Sequence, residues 1–228
     1  MVDAALAETG AVQARVRDLP SRVVVYLLLA AGLFPEIGYG QVWARMIAGL
    51  DGLGVPTPTP GALAQARRRI GPAPLRALFD LLRGPGAGVG TIGVYWRGRL
   101  VTAIDGTMMC VPDTDANLRV FRRGGGHHGG TGYPMIRLLA LVACGTRTVI
   151  DATFGSTSIG ETTYTYRLLG ALHRGMIVLA DRNFAAGHLI VAIADTGADL
   201  LIRVKTGRNL PVCRRLPDGS YMSRIGRV

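Results

Sequence analysis

MIVLADRNF, residues 176–184, is an apolar run that stops abruptly on a carboxylate. Its first five residues, held between Gly175 and Asp181, read as a strand buried on both faces, because strands in helix-covered layers are continuously apolar rather than alternating. In open sheets ligands gather beyond the carboxyl ends of the strands, which places Asp181 at a cleft. Residues 100–106, LVTAIDG, repeat the design and bring Asp105 to the end of a second strand. Singly, an aspartate at a strand end is as well explained by turn formation. Two of them in one sheet make a hard oxygen site that suits Mg2+ or Mn2+ rather than zinc. Asp105 and Asp181 are therefore the catalytic and metal-ligating candidates.

Around these two strands the hydrophobic pattern continues. Residues 135–142 and 147–153 predict a hairpin across Ala143-Cys144-Gly145-Thr146, and residues 161–172 a helix on which Tyr164, Tyr166 and Leu168 pack. Residues 185–196 predict an amphipathic helix closed by Gly197, residues 199–204 a fifth strand, and the segment from Leu210 a hairpin about Pro217-Asp218-Gly219. The order strand, strand, strand, helix, strand, helix, strand is that of a ribonuclease-H-like mixed sheet.

Before residue 84 the period is helical. Five helices are expected, at residues 3–17, 22–33, 39–50, 60–70 and 74–82. The fourth is the best specified, with Thr59 as its cap, Pro60 in the first helical position, and Leu63, Ala66 and Ile70 on one face before Gly71-Pro72. Residues 84–93, GPGAGVGTIG, extend neither neighbour and mark a boundary. The chain thus reads as α+β: an all-helical domain over residues 1–90, then an incomplete mixed-sheet domain over 91–228.

The charge narrows the partners. A formal net charge of +11 arises from 26 basic residues, all Arg except Lys205, against 15 acidic ones. Planar guanidinium forks grip phosphate bidentately, which points to double-stranded DNA. A GC-rich genome accounts for Arg over Lys but not for the excess over acids. Arg67, Arg68 and Arg69 fan around the end of the fourth helix as candidate DNA contacts of a helix-turn-helix-like domain, although cations there also complement the helix dipole. Arg122 and Arg123 open the glycine-rich loop that holds His127 and His128, a basic loop suited to phosphate and poorly suited to one metal ion. Arg182 faces away from Asp181 in an extended chain and is assigned to the DNA backbone or to structure. Asp113 and Asp115 read as loop residues, and Glu161 first as a helix-start acid, second as a metal ligand.

The remaining features exclude several classes. Cys110, Cys144 and Cys213 show no CxxC spacing, so neither a disulfide framework nor a thiolate metal site is indicated. The longest apolar segment, residues 23–34, falls short of the roughly 20 residues that span a bilayer. With acidic Asp3 and Glu8 leading the chain, no export signal is expected, and the assignment is cytoplasmic and nucleoid-associated.

Several of these motifs, taken in order, carry a resemblance. AIDGT at 103–107, YPMIRLLALVACGTRTVIDATFG at 133–155 and GMIVLADRNF at 175–184 resemble bacterial insertion-sequence transposases of the DDE type, in the insertion-element-four family. VRDLPSRVVVYLLLAAGLFP and ALAQARRRIG resemble that family's N-terminal domain, and LPDGSYMSRI also matches. The resemblance implies DNA transposition on a ribonuclease-H-like fold, with Mg2+ or Mn2+ held by two aspartates and a glutamate, and action on DNA as a homo-oligomer. The aspartates fall on Asp105 and Asp181. In the family the glutamate lies after a mostly β insertion, in a helix with a tyrosine-arginine-glutamate-lysine signature, so the resemblance implies a DNA-binding domain over residues 1–90 and a catalytic domain over 91–228 that ends within that insertion. Here the glutamates are Glu8, Glu36 and Glu161, and none follows Asp181. Three readings stay open: a transposase chain that stops before its third ligand and is inactive alone, a non-enzymatic DNA-binding remnant, and an unrelated basic metal-dependent nuclease.

Overall fold

The computed structural model describes residues 1–15, 17–50, 52, 54–88, 90–124 and 132–225. The expected phosphate contacts of His127 and His128 lie outside them. The chain divides into two compact units, Met1–Leu82 and Arg83–Val228.

The first unit is helical: α1 (Val2–Glu8), α2 (Ser21–Leu33), α3 (Tyr39–Ile47), α4 (Pro60–Ile70) and α5 (Ala73–Leu82). The first helix is much shorter than its apolar pattern suggests. Thr9 Oγ1 donates back to the Ala5 carbonyl at 2.6 Å, and Gly10 turns the chain out at φ +64°. At α4 the expected cap forms, with Thr59 Oγ1 accepting the Ala62 N–H at 3.2 Å and Pro60 inside the first turn. Its face of Leu63, Ala66 and Ile70 is buried with Val24, Val25, Leu27, Val42 and Trp43 in one core. Trp43 directs its indole N–H to the Pro56 carbonyl, satisfying the polar edge of a buried ring.

The second unit is a sheet with helices against it. Its elements are β1 (Tyr95–Trp96), β2 (Arg99–Cys110), α6 (Asp115–Val120), β3 (Met135–Ala143), β4 (Val149–Ser156), α7 (Glu161–Thr165), β5 (Met176–Ala180), α8 (Gly187–Asp195), β6 (Asp199–Ile202), β7 (Arg214–Arg215) and β8 (Tyr221–Met222). The strand order is β4-β3-β2-β5-β6, with β1 beside β2. The β2–β3 and β3–β4 pairs are antiparallel, while β2–β5 and β5–β6 are parallel. Leu100, Ile104, Leu139, Leu141, Met176 and Val178 line one face and pack on Tyr164, Leu168, Phe184, Leu189 and Ile193.

Three sequence expectations change here. First, β2 does not end at Asp105 but runs to Cys110, because residues 106–110 find ladder partners in residues 135–139 of β3. Only its parallel pairing with β5 stops, at Ala103 opposite Leu179. Second, β5 is buried on one face only. Met176 and Val178 are enclosed, whereas Ile177 and Leu179 face an apolar recess shared with Trp96, Val101 and Leu201, and Leu201 is 61% exposed. Third, the helix expected over 161–172 breaks after Thr165. Thr162, Thr163 and Thr165 are stiff β-branched residues, Thr165 Oγ1 bonds back to the Glu161 carbonyl at 2.9 Å, and a 3-10 turn at Leu169–Ala171 follows. Tyr166 leaves the core with the break and stacks on His188, ring centroids 6.4 Å apart.

In the β7–β8 turn, the Ser220 hydroxyl and then its backbone N–H hold the Asp218 carboxyl below the usual carboxylate range. That contribution is present above the ordinary carboxylate pKa and is lost as pH falls through the lowered one.

Gly155 tests the packing under α7. A Cβ there would collide with Tyr164 Oη, and Tyr164 is buried with its hydroxyl donated to the Ser156 carbonyl at 3.0 Å. Gly155→Ala is expected to destabilise the second unit by about 1–3 kcal/mol, the usual cost of overpacking. Chemical denaturation measures it, and an unchanged midpoint would mean that Tyr164 yields freely.

Candidate functional site

Asp105 and Asp181 come together where β2 outruns β5. The parallel register sets Ala103 beside Leu179, so two residues further on Asp105 stands level with Asp181. Hydrogen-bonded strands lie about 4.8 Å apart. Both aspartates line one open recess of about 700 Å³ with Ala103, Leu179, Leu201 and Arg203. Both are exposed. Each carboxylate is oriented by one backbone donor. Asp105 Oδ1 accepts the Gly106 N–H at 2.8 Å, and Asp181 Oδ1 accepts the Asn183 N–H at 2.8 Å, capping the 3-10 turn Arg182–Phe184. Among the described residues neither is in an ion pair. Each thus keeps an oxygen for a ligand, and the donor set is hard and anionic, which fits Mg2+ or Mn2+.

The set stops at two. Among the described residues no three His, Cys, Asp or Glu side chains gather as a metal cage. Glu161 comes near in the chain fold but on the other side of β2. A Cβ on Gly106 would lie 2.7 Å from Glu161 Oε1, so the carboxylate occupies the space left by the missing side chain. Successive residues of a strand face opposite ways, so Glu161 on Gly106 does not meet Asp105. Gly106 is thus a packing requirement of β2 and not a strand end.

The structure sorts the expected DNA contacts. Arg67 lies over the Tyr39 ring at 5.2 Å and donates to its hydroxyl at 3.2 Å, and Arg69 donates to the Leu19 carbonyl at 2.8 Å. Arg68, exposed like both, makes no such contact among the described residues. In the second unit Arg123 is committed to a two-pronged pair with Asp113, at 2.8 and 3.0 Å, and to the Gly132 carbonyl. Arg122 and Arg182 are exposed. The sequence reading passed over Arg203, which joins the aspartates in their recess. Its signal was the alternation Asp199, Leu201, Arg203, which carries one strand face past the end of β6.

The chain matches two family descriptions in order. Residues 1–80 match the insertion element 4 transposase N-terminal domain, and residues 96–221 the transposase DDE domain. The chain belongs to the IS4-family DDE transposases. Among the relatives of this transposase chain is the Escherichia coli K12 transposase InsG for insertion sequence element IS4, 25% identical over 99% of this chain and 51% of its own length. The putative transposase InsZ of the same organism is 26% identical over 81% of this chain and 61% of its own. The chain therefore spans about half to three-fifths of the curated relatives it matches. A cryo-EM structure of the piggyBac transposase synaptic complex with hairpin DNA aligns with TM-score 0.43 and 12% identity, over 91% of this chain and 48% of that one. The mixed sheet of the second unit, in the order β4-β3-β2-β5-β6, is of the ribonuclease-H-like kind, and the family matches remove the unrelated-nuclease reading. Among the described residues no helix is long and apolar enough to cross a membrane.

Proposed function

We propose that the chain acts in DNA transposition, as the part of a transposase that binds duplex DNA and supplies two of the carboxylates for metal-dependent phosphodiester hydrolysis and strand transfer. The observation that carries the reading is the level placement of Asp105 and Asp181 at the mouth of two parallel strands, with one oxygen of each free. Bound there, divalent cations would activate an attacking hydroxyl and neutralise the leaving oxygen. The chain's own part is to hold the carboxylates fixed and to set Arg203 beside a phosphate. Two carboxylates leave much of the coordination to water, so the chain alone binds DNA without cutting it. That outcome is shared with a DNA-binding remnant; Mn2+ uptake at the aspartates separates the two.

DNA binding follows from the cations. Affinity for duplex DNA is expected to fall steeply with salt, because neutralised phosphates release counterions with a log–log slope of roughly −0.9 per contact. Arg68→Ala should flatten the slope by about 0.9. Arg69→Ala should instead lower the stability of the first unit by about 1 kcal/mol, through loss of its bond to the Leu19 carbonyl. Fluorescence anisotropy over a salt series reads the first effect and thermal unfolding the second. A slope unchanged by Arg68→Ala would remove that residue from the interface.

A further inference from the structure

Beyond Asp181 the surface changes from acid to base. Arg182, Asn183, Ala185, Ala186, Lys205 and Arg208 line a recess of about 490 Å³ between the turn after β5 and the segment after β6. Three cationic side chains share it, and among the described residues none is paired with a carboxylate. Two of them are placed by the backbone. The Arg208 N–H donates to the Lys205 carbonyl at 3.0 Å, a turn that brings residues 205 and 208 to the same side. Arg208 Nη1 is anchored on the Ala185 carbonyl, with Nη2 near Gly187, so its guanidinium does not swing away into solvent. The first turn of α8 opens beside them with no side-chain cap, which adds partial positive charge.

Three like charges gathered in one recess repel one another, and an anion offsets that cost. Its three cations, set among alanines, favour an anion over a neutral ligand. Along the chain the recess adjoins the site already described, since Arg182 follows Asp181 directly and Arg203 precedes Lys205 by two residues. We propose that Arg182, Lys205 and Arg208 form a phosphate subsite that seats a backbone phosphate of the DNA strand engaged at Asp105 and Asp181. The subsite rests on the reading of the two aspartates as the phosphodiester site. Its function is register: a neighbouring phosphate gripped here fixes which bond of the strand lies at the carboxylates, since phosphate contacts position a strand without reading its sequence.

The test uses the full chain and the variant Arg182→Gln/Lys205→Gln, which leaves the Arg208 anchor in place. Duplex DNA binding is measured over a salt series, inorganic phosphate binding at constant ionic strength, and Mn2+ uptake separately. The expected result is a slope flattened by about 0.9, one neutralised phosphate, with the unfolding midpoint unchanged. An unchanged slope in a folded variant overturns the subsite. Inorganic phosphate binding lost in the variant while the DNA slope stays the same assigns the recess to a free phosphate and overturns the strand assignment. A flattened slope in a chain that takes up no Mn2+ sustains the phosphate contact and overturns the aspartate reading alone.

Discussion

Asp181→Asn is expected to reduce the affinity of the chain for Mn2+ by at least 10-fold, toward the 100-fold that even an outer partner of a metal ligand costs on removal. The two carboxylates form the whole anionic donor set of the recess among the described residues, so an amide in place of one removes half of the negative charge that would hold a hard cation. The amide oxygen still accepts the Asn183 N–H, so the turn survives and the loss reports on the metal alone. Asp105→Asn should behave alike. Glu161→Gln should leave Mn2+ binding unchanged, because its carboxylate sits on Gly106, across β2 from Asp105. Calorimetric titration with Mn2+ distinguishes these cases. A weakening by Glu161→Gln equal to that by Asp181→Asn would show that the three acids act together.

Phe184→Ala is expected to cost about 3–5 kcal/mol, the range for removing a buried aromatic side chain. Phe184 is 1% exposed and closes the 3-10 turn that begins at Asp181. It packs in the core with Leu189, Ile193 and Val178, and its ring therefore ties the position of the carboxylate to the sheet. At about 2–4 °C per kcal/mol for a domain of this size, the melting transition of the second unit should drop by on the order of 10 °C. Mn2+ affinity should fall with it, although no ligand is touched. Differential scanning calorimetry with and without Mn2+ checks both. A melting temperature within a degree of wild type would mean that Phe184 does not anchor the turn.

The elements that could be read from the chain were those in which local chemistry and burial agree. Thr59-Pro60 with Leu63, Ala66 and Ile70 specified α4 because cap, first-turn proline and apolar face all point to one helix. The apolar run before Asp181 marked a strand end for the same reason. What stayed hidden depends on neighbours. Asp105-Gly106 looked like a strand end because glycine after aspartate is a turn signal, yet β3 extends the ladder and the Glu161 carboxylate fills the glycine's space. The alternation between Met176, Val178 and the half-open Ile177, Leu179 cannot be seen in a run whose every residue is apolar. The cationic recess was invisible for a further reason. Arg182 lies 23 residues before Lys205, and only the parallel pairing of β5 with β6 brings the segments after them together.

On the proposed function the chain grips DNA and presents two aspartates to it, and two carboxylates alone do not complete the reaction. The direct measurement is a cleavage and strand-transfer assay on a duplex bearing the element's own terminal repeats, with Mg2+ or Mn2+ and an Asp181→Ala control. The account predicts a retarded protein–DNA complex with no nicked and no joined product, in the wild-type chain and the control alike. Metal-dependent cleavage by the wild-type chain that disappears in Asp181→Ala would contradict it.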